Sequence, residues 1–211
     1  MPASAPLPPH PGTVIESDET VWHGRFPLQR IRFRQRRFDG RMSGLRVWEL
    51  WRRGRAAALL PYDPVADAVV LIEQFRLPAL AAGIDPVLVE VPAGLCDDGE
   101  APEATLRREA QEEMGIVPHR LARIGDFLLT PGGSDECVAL YAGEITAPPA
   151  GPGGLLGAAG LAAEEEDIRV RVWPAADAIT AAIGGRFANS VTTIALLWLG
   201  LQRDRLRQEW T

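Results

Sequence analysis

Glu109, Glu112 and Glu113 stand three and four residues apart in the stretch GLCDDGEAPEATLRREAQEEMGI, from Gly94 to Ile116. At about 100° per residue, that spacing puts the carboxylates on neighbouring rows of one short helix. Like charges so placed repel by roughly a few tenths of a kcal/mol per pair, a penalty that a cation between them removes. Mg²⁺ suits the position, because it takes oxygen ligands and binds through one or two carboxylates completed by substrate phosphates. Such a set could hold a divalent cation that also meets the phosphates of a substrate. The plain alternative is a solvated acidic helix face. A second acidic group, Glu164-Glu165-Glu166-Asp167, follows a stretch between Pro148 and Ala163 made only of Pro, Gly, Ala and Leu. A loop of that composition ending in carboxylates suits a mobile carrier of a catalytic base; the alternative there is an acidic turn before a strand.

The helix that must present the first group is bounded by recognisable signals. Asp97, Asp98 and Gly99 are turn residues. Pro102 fits a first helical turn, Glu100 and Glu103 lie near its positive end, and Gly115 is placed to stop it with a left-handed cap. Leu106, Ala110 and Met114, each four apart, form an apolar row beside the acidic one. The helix is therefore expected to pack on one row and offer carboxylates on the next.

Composition removes several kinds of chemistry. All 22 Lys and Arg residues are arginine, so Schiff-base, pyridoxal-phosphate and Walker-type sites, which need a lysine, are excluded. A net charge of −6 argues against nucleic acid as the main partner. No apolar run approaches the roughly 20 residues that span a bilayer, and the N-terminus lacks the blocks of a signal peptide, which points to the cytoplasm and no membrane partner. Cys96 and Cys137, without zinc spacing, read as reduced thiols.

With 211 residues there is room for one large core and an appended element. Residues 1–17 open with the proline-rich MPASAPLPPHPG and read as a disordered tail, His10 included. Residues 18–55 read as an N-terminal antiparallel β domain: Ile31 and Phe33 alternate with arginines, Phe38-Asp39-Gly40 is a turn, and Leu45 to Trp51 alternates again. The arginines from Arg30 to Arg41 read mostly as a solvated face. Residues 56–211 form the second domain. Its strands are expected at Ala57 to Pro61, Ala68 to Glu73, Val87 to Pro92, Ile124 to Thr130, Cys137 to Ala142 and Ile168 to Trp173. Its later helices are expected at Ala175 to Ile183 and Val191 to Leu206. The glycines of Pro131-Gly132-Gly133-Ser134 would let a ligand come close.

Gly94, then Glu100 after five residues, then Arg108-Glu109-Ala110-Gln111-Glu112-Glu113-Met114-Gly115-Ile116 after seven more, is similar to the Nudix box, G-x5-E-x7-R-E-U-x-E-E-x-G-U, at every fixed position. Ala110 fills the aliphatic slot. Over about residues 18 to 210 the chain resembles the ADP-ribose pyrophosphatase family. The segments that carry this resemblance are FDGRMS from Phe38, VLIEQFR from Val70, Pro92-Ala93-Gly94, Pro131-Gly132-Gly133 and EEEDIR from Glu164.

That resemblance implies an α/β/α sandwich with a mixed sheet, preceded by an N-terminal β domain exchanged across a homodimer. It implies Mg²⁺-dependent hydrolysis of a nucleoside diphosphate sugar, ADP-ribose, to AMP and ribose 5-phosphate. Two or three Mg²⁺ ions are implied, with Mn²⁺ as a substitute. Glu109, Glu112, Glu113, Glu166 and the carbonyl of Ala93 carry over as metal ligands, Glu164 as the loop base, and Arg108 as the group that orients the carboxylates. Glu100 would hold loop to helix. For the substrate, Arg76 carries over to the diphosphate, Glu136 to ribose hydroxyls, Gly132 and Gly133 to close approach, and Phe26 to the base. Trp48 stands where relatives often have arginine before the residue matching Glu49, and Arg25 precedes Phe26 where an aromatic usually comes first. Base recognition is therefore expected to be rearranged, with Trp48 or Arg25 able to stack. Another sugar nucleotide, such as GDP-mannose, is the alternative substrate, and a nucleotide-binding module without catalysis is the alternative class.

Overall fold

A computed structural model of the chain describes residues 6–160 and 167–211. Glu164, Glu165 and Glu166 lie outside the described residues. The chain divides into two units, Met1–Arg55 with Leu128–Cys137, and Ala56–Phe127 with Val138–Thr211.

The first unit is built on a 3-stranded antiparallel sheet in the order β1 (Thr13–Trp22), β2 (Leu28–Gln35), β3 (Arg46–Trp51). On β2 the residues Gln29, Ile31 and Phe33 are buried while Arg30 and Arg32 are exposed, the alternation read from the sequence. The strand starts earlier than expected. Thr13, Val14 and Ile15 pair with Gln35, Arg34 and Phe33, so residues 13–17 are strand rather than tail; their β-branched side chains suit a pleated surface. The turn at Phe38-Asp39-Gly40 is present, closed by the Gly40 N–H donating to the Arg37 carbonyl at 2.9 Å. In the same unit, the Trp51 N–H donates to the Gly133 carbonyl at 2.8 Å and the Trp51 carbonyl accepts from Asp135 at 3.2 Å, which fixes the Pro131–Ser134 turn beside β3.

The second unit carries an 8-stranded sheet in the order β10 (Leu155–Ala159), β11 (Ile168–Pro174), β5 (Ala68–Phe75), β4 (Arg55–Asp63), β9 (Cys137–Glu144), β8 (Leu121–Leu128), with β6 (Val87–Glu90) on β5 and β7 (Ala93–Leu95) on β4. The neighbours β10–β11, β11–β5, β5–β4, β5–β6 and β4–β7 are antiparallel. At opposite ends of β4 and β9, Cys137 donates to Gly54 and Ile145 to Tyr62, a constant offset that makes this pair parallel and the sheet mixed. Such strands, covered on each face, read as continuous apolar runs. In β4, Leu59 and Leu60 are almost wholly buried, yet they belong to opposite faces.

One face packs against α2 (Pro102–Met114): Leu106, Ala110 and Met114 meet Ala57, Leu59, Val70, Ile72, Ala139 and Val170. The other is covered by α3 (Ala175–Ile183) and α4 (Ser190–Trp210), with the Trp210 ring 6.5 Å from that of Tyr62. This is the layered α/β fold that the box resemblance implied. Two elements depart from the sequence reading. A short helix, α1 (Leu77–Ala81), forms after β5 because Pro78 at its start fixes a helical φ. Residues 155–159, read as part of a loop, are strand β10: they pair with β11, and Leu156 and Ala159 pack against the core.

Candidate active site

The apolar row decides where the carboxylates of α2 point. Ala101 is its N-cap, Pro102 lies in the first turn, and Gly115 ends it with a left-handed φ of 69°, which glycine adopts without a clashing β-carbon. With Leu106 1% exposed and Ala110 1% exposed against the sheet, the adjoining rows meet strand β7. There Glu113, 4% exposed, accepts a hydrogen bond from the Ala93 N–H at 3.3 Å. Glu109 lies over Gly94, and a β-carbon built on Gly94 would fall 2.5 Å from Cγ of Glu109 and closer still to its carboxyl atoms. Gly94 is thus a space left for a side chain rather than a backbone requirement.

Arg108 ties these groups together. Its Nη1 donates to Oε1 of Glu109 at 2.8 Å and to Oε2 of Glu112 at 3.2 Å. Its Nη2 donates to the Leu95 carbonyl at 3.3 Å and to Glu100 at 3.4 Å. Such a planar fork reaches several acceptors in fixed directions, and Glu100 first, then Glu109, hold the Arg108 proton more firmly than usual. Glu100 in turn accepts from the Asp97 N–H at 3.0 Å and the Thr105 hydroxyl at 2.8 Å. The Asp97 N–H first, then Arg108 and Thr105, lower its pKa to about 2. Glu100 therefore pins the turn to the helix that carries Arg108.

The donor set suits a hard cation. Glu109, Glu112, Glu113 and the Ala93 carbonyl offer oxygen only, and Glu113 and Glu109 are sheltered, at 4% and 15% side-chain exposure. Among the described residues no set of three or more His, Cys, Asp or Glu side chains closes on a point. Mg²⁺ binds through one or two carboxylates and completes its shell with water and substrate phosphates.

Arg76, between β5 and α1, is anchored on Glu90 of β6: Nε donates to Oε2 at 2.8 Å, and Nη2 lies 2.7 Å from the same oxygen. Glu90 is a residue that the sequence reading left out. A single carboxylate inside the apolar run VLVEVP was its signal, since a buried charge needs a partner.

The remaining candidates lie in the first unit. Glu136 is bound by Arg53, whose Nη2 donates at 2.9 Å. The Arg53 guanidinium also sits 4.2 Å from the ring centre of Phe26 and 4.9 Å from that of Trp51. Its Nε is buried without a hydrogen-bond partner among the described residues. Arg53 was missed in the sequence; the facing doublets Arg52-Arg53 and Asp135-Glu136 were the only hint, 83 residues apart. Asp135 accepts from Arg52 and from the N–H groups of Arg53 and Gly54, which holds the segment in place. Arg25 also lies over Phe26, at 5.6 Å. Trp48 belongs to a different cluster, 5.4 Å edge-on to Phe33 with Arg46 over it at 4.6 Å, and is 45% exposed. Gly132 and Gly133 would each accept a β-carbon into open space among the described residues.

Comparison with known proteins places the chain among characterised relatives. The family model described as NUDIX domain matches residues 52–190. The chain is 43% identical over 196 residues to the ADP-ribose pyrophosphatase of Escherichia coli (strain K12), covering 93% of this chain and 91% of that protein. It is 33% identical over 172 residues to the GDP-mannose pyrophosphatase of Yersinia pestis (strain Pestoides F), covering 81% and 83%. A solved structure described as an ADP compounds hydrolase matches with a TM-score of 0.65 at 20% identity, covering 98% of each chain. At that identity the likeness speaks for the fold. Among the described residues no helix is long and apolar enough to cross a membrane.

Proposed function

The chain belongs to the NUDIX domain family, and from that premise we propose that it hydrolyses the diphosphate of ADP-ribose, releasing AMP and ribose 5-phosphate. The observation that carries the reaction type is the cluster of Glu109 and Glu112, joined by Arg108, with Glu113 held by the Ala93 N–H of β7. The substrate follows from relatedness: 43% identity to an ADP-ribose pyrophosphatase against 33% to a GDP-mannose pyrophosphatase. A binding module without catalysis would have no use for this carboxylate set.

In the reaction, water adds to one phosphorus and the bond to the bridging oxygen breaks, leaving a monophosphate on each fragment. Mg²⁺, when bound, polarises phosphoryl oxygens and makes water more acidic. Glu109, Glu113 and the Ala93 carbonyl hold it, with Glu112 and Glu166 as further ligands, and Mn²⁺ substitutes. Arg108 keeps Glu109 and Glu112 oriented. Arg76 grips the diphosphate with a guanidinium that is 41% exposed and whose Nη1 has no partner among the described residues. Glu164 takes the proton from water, the role that the resemblance of EEEDIR, from Glu164, to the ADP-ribose pyrophosphatase family implies. Glu136 and Arg53 bind the ribose side, Gly132 and Gly133 allow its approach, and Phe26 and Trp48 offer faces to the base.

The protein acts in the cytoplasm as a homodimer that exchanges N-terminal sheets. Support comes from Val14, Ile15, Val21, Trp22, Val47 and Trp48, which leave apolar surface exposed on the 3-stranded sheet. The test of substrate is a panel with Mg²⁺: ADP-ribose, GDP-mannose, ADP-glucose and NADH, with products separated by chromatography. AMP from ADP-ribose as the dominant product is expected; preferential GMP release from GDP-mannose would shift the substrate and keep the chemistry.

A further inference from the structure

We infer that Asn189, at the start of α4, sets the position of Arg76 through Glu90, so that the last helix takes part in holding the substrate's diphosphate. The inference rests on the reading that Arg76 contacts that diphosphate. The backbone of Arg76 is fixed at both sides: its N–H donates to the Pro86 carbonyl at 2.7 Å, and its own carbonyl accepts from Ala79 at 3.0 Å. The long side chain is what remains to be placed, and Glu90 places it.

The two oxygens of Glu90 divide their partners. Oε2 takes Nε and Nη2 of Arg76, while Oε1 accepts from Nδ2 of Asn189 at 2.7 Å. Glu90 is 3% exposed, so water contributes little to holding its carboxylate and these partners set its angle. Asn189 is itself fixed from behind. Its Oδ1 accepts from the Thr192 N–H at 3.0 Å as the cap of α4, which leaves Nδ2 as the donor toward Glu90. Thr192 closes the circuit, because its hydroxyl accepts from the N–H of Val91, the residue next to Glu90, at 3.0 Å. The start of α4, the end of β6 and the Arg76 side chain are one hydrogen-bonded unit.

Asn189 therefore has two separable jobs, capping α4 with its oxygen and steering Glu90 with its nitrogen. Asn189→Asp keeps the acceptor for Thr192 and replaces the donor with a second carboxylate facing Glu90. Asn189→Ser keeps a capping oxygen and is too short to reach Glu90. The experiment compares KM and kcat for ADP-ribose, at one fixed pH, in wild type, Asn189→Asp, Asn189→Ser, Arg76→Ala and Arg76→Ala/Asn189→Asp. Thermal melting of each reports the cap.

The expected result is a KM raised about tenfold in the Asn189 variants, with kcat within about twofold, as removal of binding shared by ground and transition states gives. Asn189→Ser melts near wild type, whereas Asn189→Asp, which sets a second carboxylate against the buried Glu90, melts lower. Adding Asn189→Asp to Arg76→Ala costs nothing further, since a residue acting only through Arg76 has no effect once Arg76 is gone. If Arg76→Ala raises KM and the Asn189 variants do not, the steering role is overturned and the diphosphate contact stands. Equal losses on the two Arg76 backgrounds overturn it as well. If Arg76→Ala leaves KM unchanged, the diphosphate reading itself fails, and this inference with it.

Discussion

The side chain of Glu109 occupies the space in which any residue other than glycine at position 94 would carry its β-carbon. The two lie in different elements, β7 and α2, and their fit explains a fixed glycine without any unusual backbone angle at that residue. The atoms in the way belong to the carboxyl end of a flexible side chain, so an added methyl group would displace the carboxylate rather than split the fold.

Gly94→Ala is therefore expected to melt within a few degrees of wild type and to lose activity. A misplacement of about 1 Å in a positioned group costs on the order of 100-fold in rate. Turnover assays beside thermal melting check this; wild-type turnover would mean that Glu109 has no positional role.

Arg108→Lys tests the fork. A lysine keeps the charge, yet its ammonium cannot at once meet Glu109, Glu112, Glu100 and the Leu95 carbonyl as Arg108 does. The variant should need more Mg²⁺ for half-maximal rate and turn over about 10- to 100-fold more slowly. A Mg²⁺ titration like that of wild type would limit Arg108 to a structural ion pair.

The signals that could be read from sequence were local ones. Pro102 and Gly115 bound α2 as expected, and four-residue spacing named the row that packs, so the carboxylates followed. What escaped notice depends on groups brought together by the fold. Glu90 and Asn189 meet across 99 residues, and no local pattern marks Asn189 as anything beyond a helix cap. Arg53 looked like one arginine among many until Phe26, Trp51 and Glu136 surrounded it. Strand β10 escaped because its Gly, Ala and Leu carry no alternation.

Glu100 links the turn to acid sensitivity. Its folded pKa is about 2 against an ordinary 4.5, so the stabilisation it gives is fully present above the ordinary value. That stabilisation is lost as pH falls through the folded value, because the unfolded chain binds the proton first. Glu100→Gln should melt below wild type at neutral pH, and the gap should narrow as pH drops below about 4.5. Melting curves across acid pH test this; a gap that stays constant would place the effect elsewhere.

Leu106→Ala addresses the packing that aims the helix. Leu106 is 1% exposed, and removing such a side chain costs about 2–5 kcal/mol. Denaturant unfolding should show that loss, and a shift of less than about 1 kcal/mol would show that the row beside the carboxylates is loosely packed.

The most direct test is AMP release from ADP-ribose with saturating Mg²⁺, measured for wild type, Glu113→Gln and Glu112→Gln. Glu113 is buried beside Ala93 of β7, whereas Glu112 has 30% of its side chain exposed beside Arg108. The expected result is brisk turnover in wild type, a milder loss for Glu112→Gln, and a fall of at least about 1000-fold for Glu113→Gln with unchanged melting. Near-wild-type turnover by Glu113→Gln would contradict the assignment of this carboxylate cluster as the catalytic metal site.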